Sequence, residues 1–260
     1  MPDPLLEAAE RALDAGRPEE ALELCRQLLA SSPGHHGALF LEAEVLRELR
    51  DPEAAEFRYR RLLQDDTGNA DAWSGLGTVL LDQCRFEDAQ QCFTRAVRAA
   101  PGHPDALYGR AMLRERRRDH RGARRDYVRA WQASPRYPLP IPLSNDDIRE
   151  IVLDACRRAD PAVAAFVVGA PLLVVDIPEA VTCEAYDPPA SPSELLGHFT
   201  AGVDPMDGSL SAQTSLPPAL ILFRKNLERY VAERDHLVQA LRDSVLSQVA
   251  EWLDNAFVSE

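Results

Sequence analysis

The sequence predicts an α-helical solenoid of four helix–turn–helix units over residues 2–137, followed by a small α+β domain over residues 145–260. Three observations predict it. Small and bulky apolar residues recur at a strict period of 34 residues through the first half, with no insertion or deletion. Pro138, Pro140 and Pro142 then interrupt the chain at every second position, so residues 138–144 read as a stiff extended linker. Beyond it, short apolar runs bounded by Pro, Gly and Asp replace the helical spacing, which is the texture of strands.

The third unit, residues 70–103, shows the pattern most clearly. It carries Trp73, Leu76, Gly77, Ala89, Phe93, Ala96 and Pro101. Gly77 and Ala89 allow close helix contact, Trp73 and Phe93 fill the space between helices, and Pro101 ends the unit because proline cannot continue a helix. Stepping by 34 gives Ala43, Ala55, Tyr59 and Leu62 in residues 36–69, where Thr67 stands in place of the closing proline. It gives Ala9, Ala21, Cys25, Leu28 and Pro33 in residues 2–35. It gives Ala111, Ala123, Tyr127, Ala130 and Pro135 in residues 104–137. These residue types at these offsets resemble the tetratricopeptide repeat (TPR). The resemblance implies that the first helix of each unit lines a concave face. The implied partner-binding positions are Leu6 and Glu10 in unit one, Phe40, Glu44 and Arg47 in unit two, Ser74 and Thr78 in unit three, and Tyr108, Met112 and Arg116 in unit four. Apolar side chains among charges of both signs suit a peptide or helix ligand. The lysine and asparagine set with which TPR proteins clamp a terminal carboxylate is missing, which disfavours a chaperone-tail adaptor.

Charge bounds the remaining functions. Residues 1–137 hold 21 arginines against 23 acidic residues, and residues 138–260 hold 8 basic against 19 acidic. Nucleic-acid binding relies on neutralising phosphates, so it is disfavoured. One basic run, residues 114–125, holds seven arginines and reads either as a solvated helix end or as a dock for acid, including intramolecular docking on the acidic second half. There is no apolar run of membrane-spanning length and no apolar signal core at the start, so a cytoplasmic protein is the expectation. Five cysteines without C-x-x-C spacing indicate neither a disulfide framework nor a zinc knuckle.

In the second half, Ser144 with Asp147 three residues on predicts a helix to about Arg158, its stripe formed by Ile148, Ile151, Val152 and Ala155 and placed to cap the open end of the solenoid. LLVVDIP (172–178) reads as a strand, LLGHFTAG (195–202) as a short strand or turn, 203–218 as a polar loop, and PALILFRKN (218–226) as a strand with a free edge that could receive an extended peptide. Helices follow over 226–232 and 235–257. This order, and above all ALILFRKNLERY leading into LVQALRDSVLSQVAEWL, resembles a small bacterial family of zinc metallopeptidases, the minimal zincins. The family carries H-E-x-x-H on its last helix, two histidines for zinc and a glutamate that activates water. The resemblance places these positions on Ser247, Gln248 and Glu251, with a third, carboxylate ligand near Phe257. Only Glu251 could ligate, and an amide cannot act as a base near neutral pH. The reading is therefore a non-catalytic adaptor or scaffold with an inactive peptidase-like domain, no metal and no cofactor. The alternative is a divergent metallopeptidase with ligands relocated to His198, His236 and Glu251.

Overall fold

A computed structural model describes residues 3–186, 188–200 and 218–258, with side chains to residue 255. The chain forms two compact units, Met1–Tyr137 with Asp187–Ser191, and Pro138–Tyr186 with Pro192–Glu260.

The first unit contains eight helices: α1 (Pro4–Asp14), α2 (Pro18–Ser31), α3 (His36–Glu48), α4 (Pro52–Asp65), α5 (Ala70–Asp82), α6 (Phe86–Ala99), α7 (Pro104–Arg116) and α8 (His120–Ala133). From α3 onward every start and end recurs after 34 residues. The physical cause is visible at equivalent positions. The small residues Ala9, Ala43, Gly77 and Ala111 are all buried, and so are Ala21, Ala55, Ala89 and Ala123 from the second helices. Each turn between first and second helix requires a left-handed residue at the same repeat position: Gly16, Arg50, Cys84 and Arg118, with φ of 68°, 59°, 58° and 60°. Only the first of these is glycine. The start of α3, α5 and α7 is capped by His35, Asn69 and His103, whose side chains accept the amide of the residue three further on.

Packing between units also repeats. A Cβ at Gly75 would lie 2.4 Å from the Tyr59 ring, and one at Gly109 would lie 2.4 Å from the Phe93 ring. Each aromatic side chain of a second helix thus rests on a bare stretch of the following first helix. Buried charge follows the repeat too. Glu42 on α3 is held by Arg58 of α4, and Arg110 on α7 is held by Asp126 of α8. These are the same two repeat positions with the signs exchanged; unit three has Leu76 and Cys92 there. Asp126 accepts two hydrogen bonds from Arg110, at 2.7 and 2.8 Å, and one from Arg114 at 2.8 Å. Glu42 is less well served. Arg58 Nη2 donates to its Oε1 at 3.1 Å, while Arg58 Nε lies 2.8 Å from Oε2 without the alignment of a hydrogen bond.

The second unit contains α9 (Asn145–Cys156), α10 (Pro161–Gly169), β1 (Leu172–Val175), α11 (Ala180–Glu184), β2 (Gly197–Thr200), β3 (Ala219–Phe223), α12 (Arg224–Tyr230), a 3-10 turn Val231–Glu233, α13 (Arg234–Leu241), a π-turn Arg242–Leu246 and α14 (Ser247–Val258). The sheet order is β1-β3-β2, with β1 parallel and β2 antiparallel to β3. This corrects the expected free edge: β3 is the central strand, hydrogen-bonded on both sides. It also ends at Phe223, so residues 224–226 are helical. The apolar stripe of α9 is not a solenoid cap; Ile148, Ile151, Val152 and Ala155 are buried in this unit's own core with Leu220, Leu222, Leu237 and Val245. The proline-rich linker is strapped to α12. Ile141 donates to the Glu228 carbonyl at 2.9 Å, and Arg224 donates to the Leu143 carbonyl at 2.6 Å. The helices α10 and α11 were not expected, and the long last helix is interrupted by the π-turn. The expected loop over 203–218 falls, but for Pro218, outside the described residues, as do Ala201 and Gly202.

Candidate functional site

The solenoid carries a cavity of about 330 Å³, lined by Phe40, Glu44 and Arg47 of α3, Asp71, Ser74, Gly75 and Thr78 of α5, His103 and Asp105 at the start of α7, and Arg136. Five of the ten expected positions meet there: Phe40, Glu44, Arg47, Ser74 and Thr78. Phe40 stands edge-on to Tyr59, ring centroids 5.9 Å apart. The Tyr59 hydroxyl donates to Glu44, and Arg47 donates to the same carboxylate at 3.1 Å. Burial and then the Glu44 charge push the Tyr59 phenol well above its ordinary value. Burial pulls Arg47 down, but Glu44, Tyr59 and Asp82 together outweigh it and the guanidinium stays above its ordinary value. On the other side His103 Nε2 lies 2.9 Å from Asp71, and Arg136 donates to Asp105 at 3.0 Å. Because His103 Nδ1 accepts the Ala106 amide, its Nε2 carries the proton given to Asp71. The Ser74 hydroxyl, on a residue 3% exposed, has no hydrogen-bond partner.

The other expected positions lie elsewhere. Leu6 packs in the cluster at the first units, and Glu10 is exposed. Tyr108 belongs to an aromatic stack with Tyr127 and Tyr137, at 5.0 and 5.1 Å, and Met112 packs beside Tyr127. Arg116 lies 3.8 Å over the Phe86 ring and lines a separate cavity with Leu113 and Arg117. Asp71, His103, Asp105 and Arg136 were missed. Asp71, His103 and Asp105 sit at or just outside the starts of first helices, one turn above the positions considered, where the repeating cap at 35, 69 and 103 was the available signal; Arg136 follows the end of α8.

In the second unit, the helix face Val238, Leu241, Val245 and Val249 is buried and Trp252 packs against it. Ser247, Gln248 and Glu251 lie off that face. Ser247 is exposed, its hydroxyl donating to the Asp243 carbonyl at 2.8 Å; Glu251 is exposed. Gln248 is half-buried. Its Oε1 accepts the Phe199 amide at 3.1 Å, and its Nε2 donates to the Ser244 carbonyl at 2.9 Å and lies 3.4 Å from the Tyr186 hydroxyl. Tyr186 in turn is 2.9 Å from His198 Nδ1. Burial raises the Tyr186 phenol and lowers the His198 imidazole. His236 is 82% exposed and pairs with Glu233. His198, His236 and Glu251 therefore do not converge, and among the described residues no group of three or more His, Cys, Asp or Glu is placed to hold a metal ion. A zinc ion in this fold needs three protein ligands. The motif helix offers one carboxylate, a hydroxyl spent on its own backbone and an amide spent on β2, so the residues present do not fit the metal.

Fold and motif together define a TPR array joined to a zincin-like domain. Residues 12–59 and 46–113 match the tetratricopeptide repeat, and residues 168–256 match the zincin-like metallopeptidase family. Among curated proteins, the chain is similar to protein O-mannosyl-transferase TMTC3 of Homo sapiens, 32% identical over 98 residues, covering 37% of this chain and 11% of that one. It is also similar to cellulose synthase operon protein C of Xanthomonas axonopodis pv. citri (strain 306), 35% identical over 111 residues, covering 42% and 7%. The chain thus spans about a tenth or less of the length of these relatives. Among solved structures, Pseudomonas aeruginosa pilF is 21% identical with a TM-score of 0.47, covering 50% of this chain and 60% of that one. YrrB, described as a TPR protein with an unusual peptide-binding site, is 18% identical with a TM-score of 0.43, covering 50% and 68%. No described helix is long and apolar enough to cross a membrane.

Proposed function

We propose that this chain is a non-catalytic interaction protein. The solenoid cavity takes a peptide segment of a partner protein, and the zincin-like unit supplies a second binding surface without hydrolysing it. The observation that carries the reading is the Ser74 hydroxyl. A buried polar group without a partner costs free energy, and Ser74 is one of the residues lining the cavity, so a ligand that displaces its immediate neighbours would satisfy the hydroxyl.

The test is a random peptide library displayed against the full chain, with enriched peptides titrated calorimetrically. Ser74→Ala removes an unsatisfied hydroxyl, so the variant keeps or gains thermal stability while binding falls at least fivefold. Unchanged affinity in Ser74→Ala, or no enriched peptide, overturns the assignment of this cavity. For the second unit, metal content of chelator-free protein is measured against protein concentration. A zinc ratio near zero with no peptide cleavage is expected; a ratio near one overturns the non-catalytic reading.

A further inference from the structure

The motif position that would hold the catalytic glutamate has acquired a defined structural task. β2 is antiparallel to β3, and Phe199 faces Leu220 in that pairing. The Phe199 amide is directed away from β3, to Gln248 Oε1 at 3.1 Å. A strand amide directed out of its pairing can be taken by an extended chain that adds there. Here one is already taken by a side chain. The same carboxamide donates from Nε2 to the Ser244 carbonyl at 2.9 Å, which the Ser247 hydroxyl also approaches at 3.0 Å. That carbonyl lies within the π-turn Arg242–Leu246, where the regular helical bonding pattern is broken and extra carbonyl groups need donors. Tyr186 closes the arrangement at 3.4 Å from Nε2, and its ring stands edge-on to His198 of β2.

We infer that Gln248 is an amide clamp that ties the motif helix to β2, giving this unit a metal-independent helix–strand junction and occupying the Phe199 amide that an added strand would need. Chemistry explains why the residue is Gln. The clamp needs an acceptor for an amide and a donor for a carbonyl on one side chain, and a carboxylate supplies only the first. The glutamate of the peptidase motif would face the Ser244 carbonyl with a negative charge. Substitution at this position is then a change of task, not a neutral loss.

The inference rests in part on the non-catalytic reading of the second unit, and the experiment separates the two. Amide exchange is measured on the full-length chain, with thermal unfolding recorded with and without a chelator. The Phe199 amide of the native chain exchanges slowly; in Gln248→Ala it exchanges at least tenfold faster, while Leu220 and Leu222 of β3 are unchanged. Gln248→Glu keeps the acceptor, so Phe199 stays protected, but the lost donor lowers the melting temperature. A chelator changes neither variant nor native protein. Unaltered exchange at Phe199 in Gln248→Ala overturns the clamp and leaves the non-catalytic reading standing. A melting temperature that falls with chelator, together with one zinc per chain, overturns both. Should Gln248→Ala not fold, the Gln248→Glu and chelator measurements decide alone: a melting temperature of Gln248→Glu equal to that of the native chain overturns the clamp.

Discussion

The exchanged ion pairs make a quantitative prediction. Asp126 is 2% exposed and Arg110 11% exposed, and three charge-assisted hydrogen bonds converge on the carboxylate. Removing one member of a buried pair leaves an uncompensated charge and costs about 3–5 kcal/mol, whereas replacing both by apolar residues of similar size is close to neutral. The solenoid already contains the apolar version, Leu76 and Cys92 of unit three, at the equivalent positions. Asp126→Cys alone is therefore expected to destabilise by about 3–5 kcal/mol. Adding Arg110→Leu is expected to restore all but about 1 kcal/mol, a coupling of at least about 2 kcal/mol between neighbours. Arg114 retains the Gly122 carbonyl at 3.1 Å and so is not stranded. The assay is urea unfolding followed by tryptophan fluorescence, Trp131 lying on α8 beside the substituted turn. Midpoints are compared at constant slope, since repeat arrays can depart from two-state behaviour. A cost below about 1 kcal/mol for Asp126→Cys, or additive single effects, would refute the argument that this pair is held together chiefly by the penalty of separating it.

Three further outcomes follow from the repeat geometry and from burial. Left-handed backbone is costly for residues with a Cβ, so Arg50→Gly, Cys84→Gly and Arg118→Gly are each expected to stabilise by about 0.5–1 kcal/mol, read as added shifts in urea midpoint. Gly75→Ala and Gly109→Ala each drive a methyl into a buried ring; overpacking of about 1–3 kcal/mol exceeds the gain of about 1 kcal/mol for removing a helical glycine. Both are expected to lower the melting temperature, and a rise in either would show that the rings can move aside. Burial, reinforced by Glu42, pushes the Cys25 thiol up to about 12, and burial pushes Cys92 up to about 11. The folded values lie above the unfolded value near 9.0, so the contribution is fully present below pH 9 and is lost as pH rises toward 11–12. Unfolding midpoints should therefore fall as pH rises from 9 toward 11, with a shallower slope in Cys25→Ala, and an unchanged slope would count against the assignment.

The helical repeat was readable because its requirements are local and recur. A small residue at 9, 43, 77 and 111 can be checked four times over, and each instance is buried. The sheet was less readable. Ala219–Phe223 is apolar at every position, and residues of both faces, Leu220 and Leu222 as well as Ala219 and Phe223, are buried. A short apolar run does not reveal how many neighbours it has. Residues 161–169 were equally ambiguous, an apolar stretch with no polar face to set a helical period. In the cavity, Ser74 and Thr78 were legible from repeat position, whereas Arg136 reaches Asp105 from outside the helical repeat and leaves no periodic trace. Gly75 and Gly109 escaped notice because their partners, Tyr59 and Phe93, belong to the preceding unit, and reading each unit alone hides the contact between units.

Comparing equivalent positions separates what the backbone demands from what the side chains negotiate. At 16, 50, 84 and 118 the backbone adopts one conformation, φ of 58–68°, whichever residue is present. Gly, Arg and Cys are all tolerated because the turn is fixed by the two helices it joins, and the strain is absorbed by their packing. At 42 and 58, and again at 110 and 126, no residue type is fixed at all. What persists is complementarity: acid with base, base with acid, or Leu with Cys. A single change at such a pair passes through a state with one stranded charge, at a cost of about 3–5 kcal/mol, so the members must change together or by way of the apolar pair. The same logic governs Gln248. Its amide satisfies a strand amide and a helix carbonyl at once, and either group alone would accept several side chains, but the combination accepts a carboxamide. Positions of this kind are determined by their partners, so a motif read along one helix gives only the residue, and the fold gives the groups that residue serves.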